Sequence, residues 1–246
     1  MKKKKKQTGF NWRIAAVMTL VALTLLALCG VWYVWRVGVM PGMKIDKEQY
    51  PVTGVDLSSH NGKVDFKRLY ADSVSFVYIK ATEGSSFKDS KFEKNYKDAT
   101  AAGGLAVGAY HFFRFDVNGT LQAKNFLSAI ADKPMALPPA IDVEEHGNPD
   151  TPTAVIVERL QAMIAGLEDA GIQPVIYTNM DGYRRIYRDY FQDYPLWISR
   201  FEQPAEDVVW TIWQYSHWGD VDGTTGEVDL NVFAGTREDF LHWIGQ

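Results

Sequence analysis

The apolar positions of this chain fall into two regimes. From Ile14 to Trp35 no residue carries a charge and almost every side chain is apolar. A bilayer core calls for about 20 residues of apolar helix, and this segment has that length. Beyond Pro51, short apolar runs alternate with segments of helical periodicity. VTGVDL (52–57), SFVYIKA (75–81), LAVGAYHF (105–112), ALPPAIDVE (136–144) and PVIYTN (174–179) read as strands. VDFKRLYADS, KFEKNYKDATAAG, GTLQAKNFLSAIAD and TPTAVIVERLQAMIAGLEDAG lie between them and read as helices. The last of these is expected to start with Thr151 as N-cap and Pro152 at its first position, with Gly171 just past its end. After a fifth helix near 181–190 the alternation stops. PLWISRF, VVWTIWQYS and GEVDLNVF follow with short connections, and a last helix is expected at 236–244. The pattern predicts an α/β fold, a single βα barrel of five βα units followed by three strands, preceded by one transmembrane helix.

Charge sets the expected topology. Residues 2–6 are all lysine and Arg13 follows, so residues 1–13 are expected to stay in the cytoplasm as a basic tail. Residues 14–35 form the anchor, with Trp32, Tyr33 and Trp35 at its far end where amphipathic aromatics favour the interface. Residues 36–50 read as a stalk, and residues 51–246 as one folded domain outside the cytoplasmic membrane, periplasmic or extracellular. A cleaved signal peptide fits less well. Its apolar region usually runs about 7–15 residues and ends in small residues, whereas this run is longer and ends in bulky rings. Leu28 before Cys29 also argues against lipoprotein processing.

Composition narrows the partners. The chain holds 26 basic and 30 acidic residues, and beyond residue 13 the balance is 20 against 30. An acidic domain of this kind is not expected to bind nucleic acid. Cys29 is the single cysteine, which rules out an internal disulfide and a cysteine metal cluster. There is no HxH or HExxH spacing, no GxSxG elbow and no GxGxxG opening a helix, so no metal and no cofactor are expected. The domain is expected to act as a monomer.

Three strands repeat one phrase, an aspartate between aliphatic residues: Val55-Asp56-Leu57, Ile141-Asp142-Val143 and Val228-Asp229-Leu230. A charge inside an apolar strand is costly unless something uses or pairs it. In a βα barrel the C-terminal strand ends converge on one face, so the three can meet. Glu144 lies two residues beyond Asp142 and therefore on the same side of its strand. Two close carboxylates cannot both ionise freely, which suits one of them to donate a proton to a glycosidic oxygen near neutral pH. A single such aspartate is more simply a cap or an ion-pair partner; three with one phrase, plus Glu144, point to a site. Tyr110, Tyr177, Trp197, Trp213 and Tyr215 lie near strand ends, where rings can pack against sugar C–H faces or fill a core. Gln214 faces the opposite way from Trp213 and Tyr215; if it lines the mouth, those two rings do not. The histidines, His60, His111, His146 and His217 among them, read as hydrogen-bonded surface or rim residues.

These segments resemble glycoside hydrolase family 25, the Chalaropsis-type lysozymes. GVDLSSHNG (54–62), YIKATEG (78–84), GAYHFFR (108–114), AIDVE (140–144), VIYTN (175–179), WTIWQYS (210–216) and VDLN (228–231) occur in the family's order across residues 52–233. The resemblance implies a barrel of five βα units and three further strands. It also implies muramidase action, hydrolysis of the β-1,4 bond from N-acetylmuramic acid to N-acetylglucosamine in peptidoglycan. Carried over by motif, Glu144 is the proton donor, and Asp142, Asp56 and Asp229 complete the acidic cluster. Tyr110, Tyr177, Gln214 and Trp197 are the expected substrate contacts. The implied mechanism is retaining, with either an enzyme carboxylate or the substrate's own acetamido group as nucleophile. The DxE arrangement favours the acetamido route, with Asp142 steadying that group. Asn61 stands where many members have glutamine, Phe66 where tryptophan is common, and Glu145 and His146 add an acid and a base beside the DxE. A non-catalytic glycan-binding module and a chitinase-like hydrolase are the competing expectations.

The lysine run and the uncharged segment make a direct prediction. A reporter fused to the C-terminus should be extracytoplasmic, and the full-length protein should remain in the membrane fraction after a high-salt wash. Recovery of most of the protein as a soluble species beginning beyond residue 35 would contradict the anchor.

Overall fold

A computed structural model describes residues 12–37 and 45–246. The lysine run at 2–6 and residues 38–44 of the expected stalk lie outside the described residues. The chain divides into two units, Met1–Pro41 and Gly42–Gln246. The first contains helix α1, Trp12–Val37, whose stretch Ala16–Tyr33 is long and apolar enough to cross a membrane.

The second unit is a closed sheet wrapped by helices. Its elements run β1 (Thr53–Leu57), α2 (Phe66–Ala71), β2 (Val74–Glu83), β3 (Phe87–Lys88), α3 (Phe92–Ala102), β4 (Ala106–Phe112), α4 (Gly119–Ile130), β5 (Ala140–Asp142), α5 (Thr153–Glu168) and β6 (Val175–Asn179). A helical segment follows, in three parts: α6 (Met180–Gly182), a π-helical turn (Tyr183–Tyr187) and α7 (Arg188–Tyr190). β7 (Leu196–Ser199), β8 (Ile212–Gly219), β9 (Val228–Phe233) and α8 (Arg237–Trp243) complete the chain. Eight strands close in the order β1-β9-β8-β7-β6-β5-β4-β2, with β2 pairing back onto β1. The short β3 was not expected from sequence; it folds back antiparallel on the end of β2 through Thr82–Lys88 and Glu83–Phe87.

Ladder geometry corrects two boundaries. Pro138 and Pro139 have no N–H to give, so β5 begins at Ala140 instead of Ala136. Thr151 is not the N-cap of α5. Pro152 holds that position with extended backbone, and the Thr151 hydroxyl donates to the Pro149 carbonyl instead. Gly171 does lie past the helix end, at φ 78°.

Strand alternation divides the apolar residues into two cores. Val55, Leu57, Val77, Ile79, Ile141, Ile176, Ile198, Trp213 and Tyr215 point outward and pack under the helices. Phe76, Tyr78, Ala140, Val175, Tyr177, Trp197, Ile212 and Phe233 fill the barrel interior together with Phe240 of α8. Phe240 lies 5.7 Å from Phe76 and 5.3 Å from Phe233 between ring centroids, and so helps to fill the end of the barrel opposite the strand tips that carry Asp56 and Asp142. Rings of this size fit only where other strands give way. A Cβ on Gly54 would meet the Phe76 ring at 2.3 Å, and one on Gly108 would meet Tyr78 at 2.7 Å. Glycine at these positions is a volume requirement.

His111 is another correction. It is not a rim residue but is fully buried on the outward face of β4. Nδ1 pairs with Thr82 Oγ1 at 2.7 Å and Nε2 with Gln122 Oε1 at 3.1 Å. Burial lowers its pKa to about 4, against the opposing effect of the Gln122 hydrogen bond.

Candidate active site

Asp56, Tyr110, Asp142, Glu144, Tyr177, Trp197, Gln214 and Asp229, the eight expected as catalytic or substrate-contacting residues, line one groove of about 450 Å³, joined by His146 and His217, while Trp213 and Tyr215 lie in the outer core. Asp142 is the last residue of β5, and Glu144 follows on the same side. Asp229 reaches this face by a different route from the other two aspartates. β9 runs antiparallel to β1, with Asp56 opposite Asp229, so the start of β9 lies beside the end of β1. Asp229 is thus near the beginning of its strand, not at its C-terminal end.

The floor of the groove is a hydrogen-bond network around Asp56. Its Oδ2 accepts from Gln214 Nε2 at 2.9 Å and from Asn231 Nδ2 at 2.8 Å. Each amide is oriented from behind. Trp197 Nε1 donates to Asn231 Oδ1 at 2.8 Å, and an indole N–H can only donate, which turns the Asn231 amide nitrogen towards Asp56. Tyr177 and Ser199 hydroxyls donate to Gln214 Oε1 at 2.9 and 2.7 Å. Asn231 and Ser199 were not among the residues expected from sequence. Asn231 carried a signal, since it lies two residues beyond Asp229 and therefore on the same face. Ser199 had none. Trp197 is only 2 % exposed, with its ring 4.7 Å from Tyr78 and 4.9 Å from Tyr177. It therefore supports the floor more than it offers a face to solvent.

The carboxylates differ in what holds them. Burial raises the Asp56 pKa well above the ordinary aspartate value, and the neighbouring Asp229 adds to the rise, against the lowering effect of the two amide donors. Asp142 is also raised well above its usual value, first by burial and then by Glu144, with Lys80 opposing. Its Oδ1 is buried and has no hydrogen-bond partner. Glu144 is partly exposed, and burial raises its pKa while His146 and His217 pull it down and Asp229 and Glu145 push it up. Asp229 Oδ1 lies 2.6 Å from His217 Nδ1. The Glu144 backbone is fixed from behind, with Asn148 Nδ2 donating to its carbonyl at 2.9 Å and to that of Phe113 at 2.9 Å. Glu145 points elsewhere, towards Arg185 of the π-helical turn at 3.5 Å. Among the described residues no group of three or more His, Cys, Asp or Glu side chains is arranged to hold a metal ion.

The model of "Glycosyl hydrolases family 25" matches residues 55–224. The chain belongs to glycosyl hydrolase family 25. It is similar to YegX of Escherichia coli (strain K12), 33 % identical over 204 residues, covering 79 % of this chain and 74 % of that one. Lysozyme M1 of Streptomyces globisporus is 31 % identical over 209 residues, 77 % of this chain and 70 % of that one. The solved structure of a family 25 glycosyl hydrolase from Bacillus anthracis superposes with a TM-score of 0.74 at 34 % identity, covering 82 % of this chain and 96 % of that one. Family 25 membership makes this chain a glycoside hydrolase, and its eight-stranded barrel is the family's fold.

The buried, unpartnered Asp142 predicts a trade between stability and turnover. Its folded-state pKa is raised, so the folded protein holds a proton that the unfolded chain has released. Stability is therefore lost as pH rises from the unfolded pKa through the folded one. Asp142→Asn should be more stable than the parent at pH 7, by about 1–3 kcal/mol. That advantage should shrink as pH falls towards 4. Denaturant unfolding at several pH values checks this; a variant less stable than the parent at pH 7 would contradict it.

Proposed function

We propose that the protein is a peptidoglycan-cleaving N-acetylmuramidase that hydrolyses the β-1,4 bond between N-acetylmuramic acid and N-acetylglucosamine. The observation that carries this is the Asp142–Glu144 pair, in which one member is buried with a free acceptor atom and the other is partly open to solvent with a raised pKa. Family membership and the likeness to Lysozyme M1 support the choice of glycan.

The roles follow from these environments. The pair retains a proton to higher pH than a free carboxylate would. A substrate acetamido N–H donates to Asp142 Oδ1, the acceptor left unpartnered, and its hydrogen bond favours the Asp142 anion. The proton then sits on Glu144, which delivers it to the glycosidic oxygen as that bond breaks. The acetamido oxygen forms the new bond to the anomeric carbon, and its developing positive charge faces Asp142. Water then attacks the same carbon, Glu144 takes up its proton, and the acetamido group is restored, so the configuration is retained overall. Asp56 is fixed on the floor beside Asp229 by Gln214 and Asn231, whose amide donors favour its anion against the burial that raises its pKa. Tyr110 and Tyr177 bear on the sugar as walls of the groove.

The same reading extends to architecture and place. The helical segments after β1, β2, β4, β5 and β6 support a count of five βα units, with β7, β8 and β9 as the three further strands. Helix α1 supports a single-pass anchor in the cytoplasmic membrane, with the hydrolase unit acting outside it.

The two carboxylates are separable by experiment. Loss of a general acid typically costs about 10²–10⁴ in rate. Glu144→Gln and Asp142→Asn should both lose turnover on purified peptidoglycan, whose new reducing sugar mass spectrometry identifies as N-acetylmuramic acid. A substrate with an activated leaving group needs little protonation. It should partly rescue Glu144→Gln and hardly rescue Asp142→Asn. Equal rescue of the two, or full activity in Glu144→Gln, would show that the acid is another residue.

A further inference from the structure

The groove does not end at its carboxylates. On the side of β7 and β8, three rings stand together at the rim. Phe201 lies just beyond β7, and His217 and Trp218 lie near the end of β8. Phe201 is 42 % exposed, a large apolar ring facing water. Its centroid is 4.4 Å from His217, edge to face, and 5.5 Å from Trp218, with His217 and Trp218 6.1 Å apart. The cluster continues into the groove. His217 lines the groove and binds Asp229 Oδ1 through Nδ1 at 2.6 Å, which pins the imidazole at the boundary between carboxylates and rings. Behind Phe201, Arg200 N donates to the Gln214 carbonyl at 3.0 Å, and the Trp213 indole N–H donates to the Arg200 carbonyl at 2.7 Å. The chain carrying Phe201 is thus tied to the strand that supplies Gln214 to the floor.

We propose that Phe201, His217 and Trp218 form a shelf that binds one further N-acetylhexosamine ring of the same glycan strand, beyond the residues cleaved at Glu144. This rests on the muramidase reading above. Pyranose rings have an apolar C–H face and a polar rim. An exposed aromatic next to a polar, pinned imidazole offers a stacking surface and a hydrogen-bonding edge to match. The acidic unit has little long-range attraction for an anionic wall polymer, so contacts of this local kind must supply much of its hold on substrate. Because the shelf lies outside the carboxylate cluster, its binding energy acts on longer glycans and not on the bond-breaking step itself. A ring–sugar contact on an exposed surface is worth roughly two- to tenfold in affinity.

The test is calorimetric binding of peptidoglycan-derived disaccharide and tetrasaccharide to the full chain in detergent, with Glu144→Gln as the non-hydrolysing parent. Adding Phe201→Ala should weaken tetrasaccharide binding by about two- to tenfold and leave disaccharide binding nearly unchanged. Phe201→Tyr, which keeps the ring, should restore it. In the otherwise native chain, Phe201→Ala should raise KM on long glycan with kcat little changed. Equal tetrasaccharide affinity in the parent and Phe201→Ala would overturn the shelf while leaving the muramidase reading intact. Equal loss for both oligosaccharides would also overturn it, since that would show a general disturbance of the groove. Failure of the parent to bind either oligosaccharide would remove the muramidase reading, and the shelf with it.

Discussion

Placing Asp56, Asp142 and Glu144 at the mouth of a closed sheet withdraws them from water, and the surrounding structure is arranged around that cost. Burial is the leading cause of the raised pKa at all three. An ionised carboxylate in such a place needs donors, and the protein supplies them unequally. Asp56 receives two amide N–H groups, whereas Asp142 keeps one buried oxygen with none. Glu144 stays partly in solvent, near histidines that moderate its shift. The difference in donors is what separates an electrostatic fixture from a group awaiting substrate.

The barrel interior converts core packing into that arrangement. Trp197 and Tyr177 fill space between strands, yet their polar atoms are spent on Asn231 and Gln214, whose amides are thereby aimed at Asp56. The same rings that exclude water also fix the donors. Gly54 and Gly108 make room for the large rings further down, so the volume of the core and the orientation of the floor are set together. On the outer side, Asn148 ties the Glu144 backbone to the end of β4, and Arg185 draws Glu145 away from the groove.

Much of this was legible in the chain because strand alternation has a fixed period. The aspartate phrases, Glu144, and the opposed directions of Gln214 and Trp213 all follow from period two. What the residues could not reveal depended on partners distant in sequence. β9 running antiparallel to its neighbours puts Asp229 at the start of a strand, a consequence of closure and not of local pattern. Ser199 and Asn231 matter only because Gln214 lies opposite both across the ladder, and because the Trp197 indole reaches Asn231 from two strands away. His111 looked like a rim histidine because it is next to Tyr110 at a strand end, but one step along a strand reverses the face and carried it into the outer core. Thr151 is a good N-cap residue by type, and the Pro152 backbone moved the helix start by one position.

Burial sets the proton affinity of the Asp142–Glu144 pair. The most direct measurement is a carbon-13 NMR titration of the carboxyl groups of the resting protein, assigned with Glu144→Gln and Asp142→Asn. Both should titrate above the ordinary carboxylate range, and replacing either one should lower the apparent pKa of the other's transition. Titration of both groups as ordinary exposed carboxylates, indifferent to the neighbour's replacement, would contradict it.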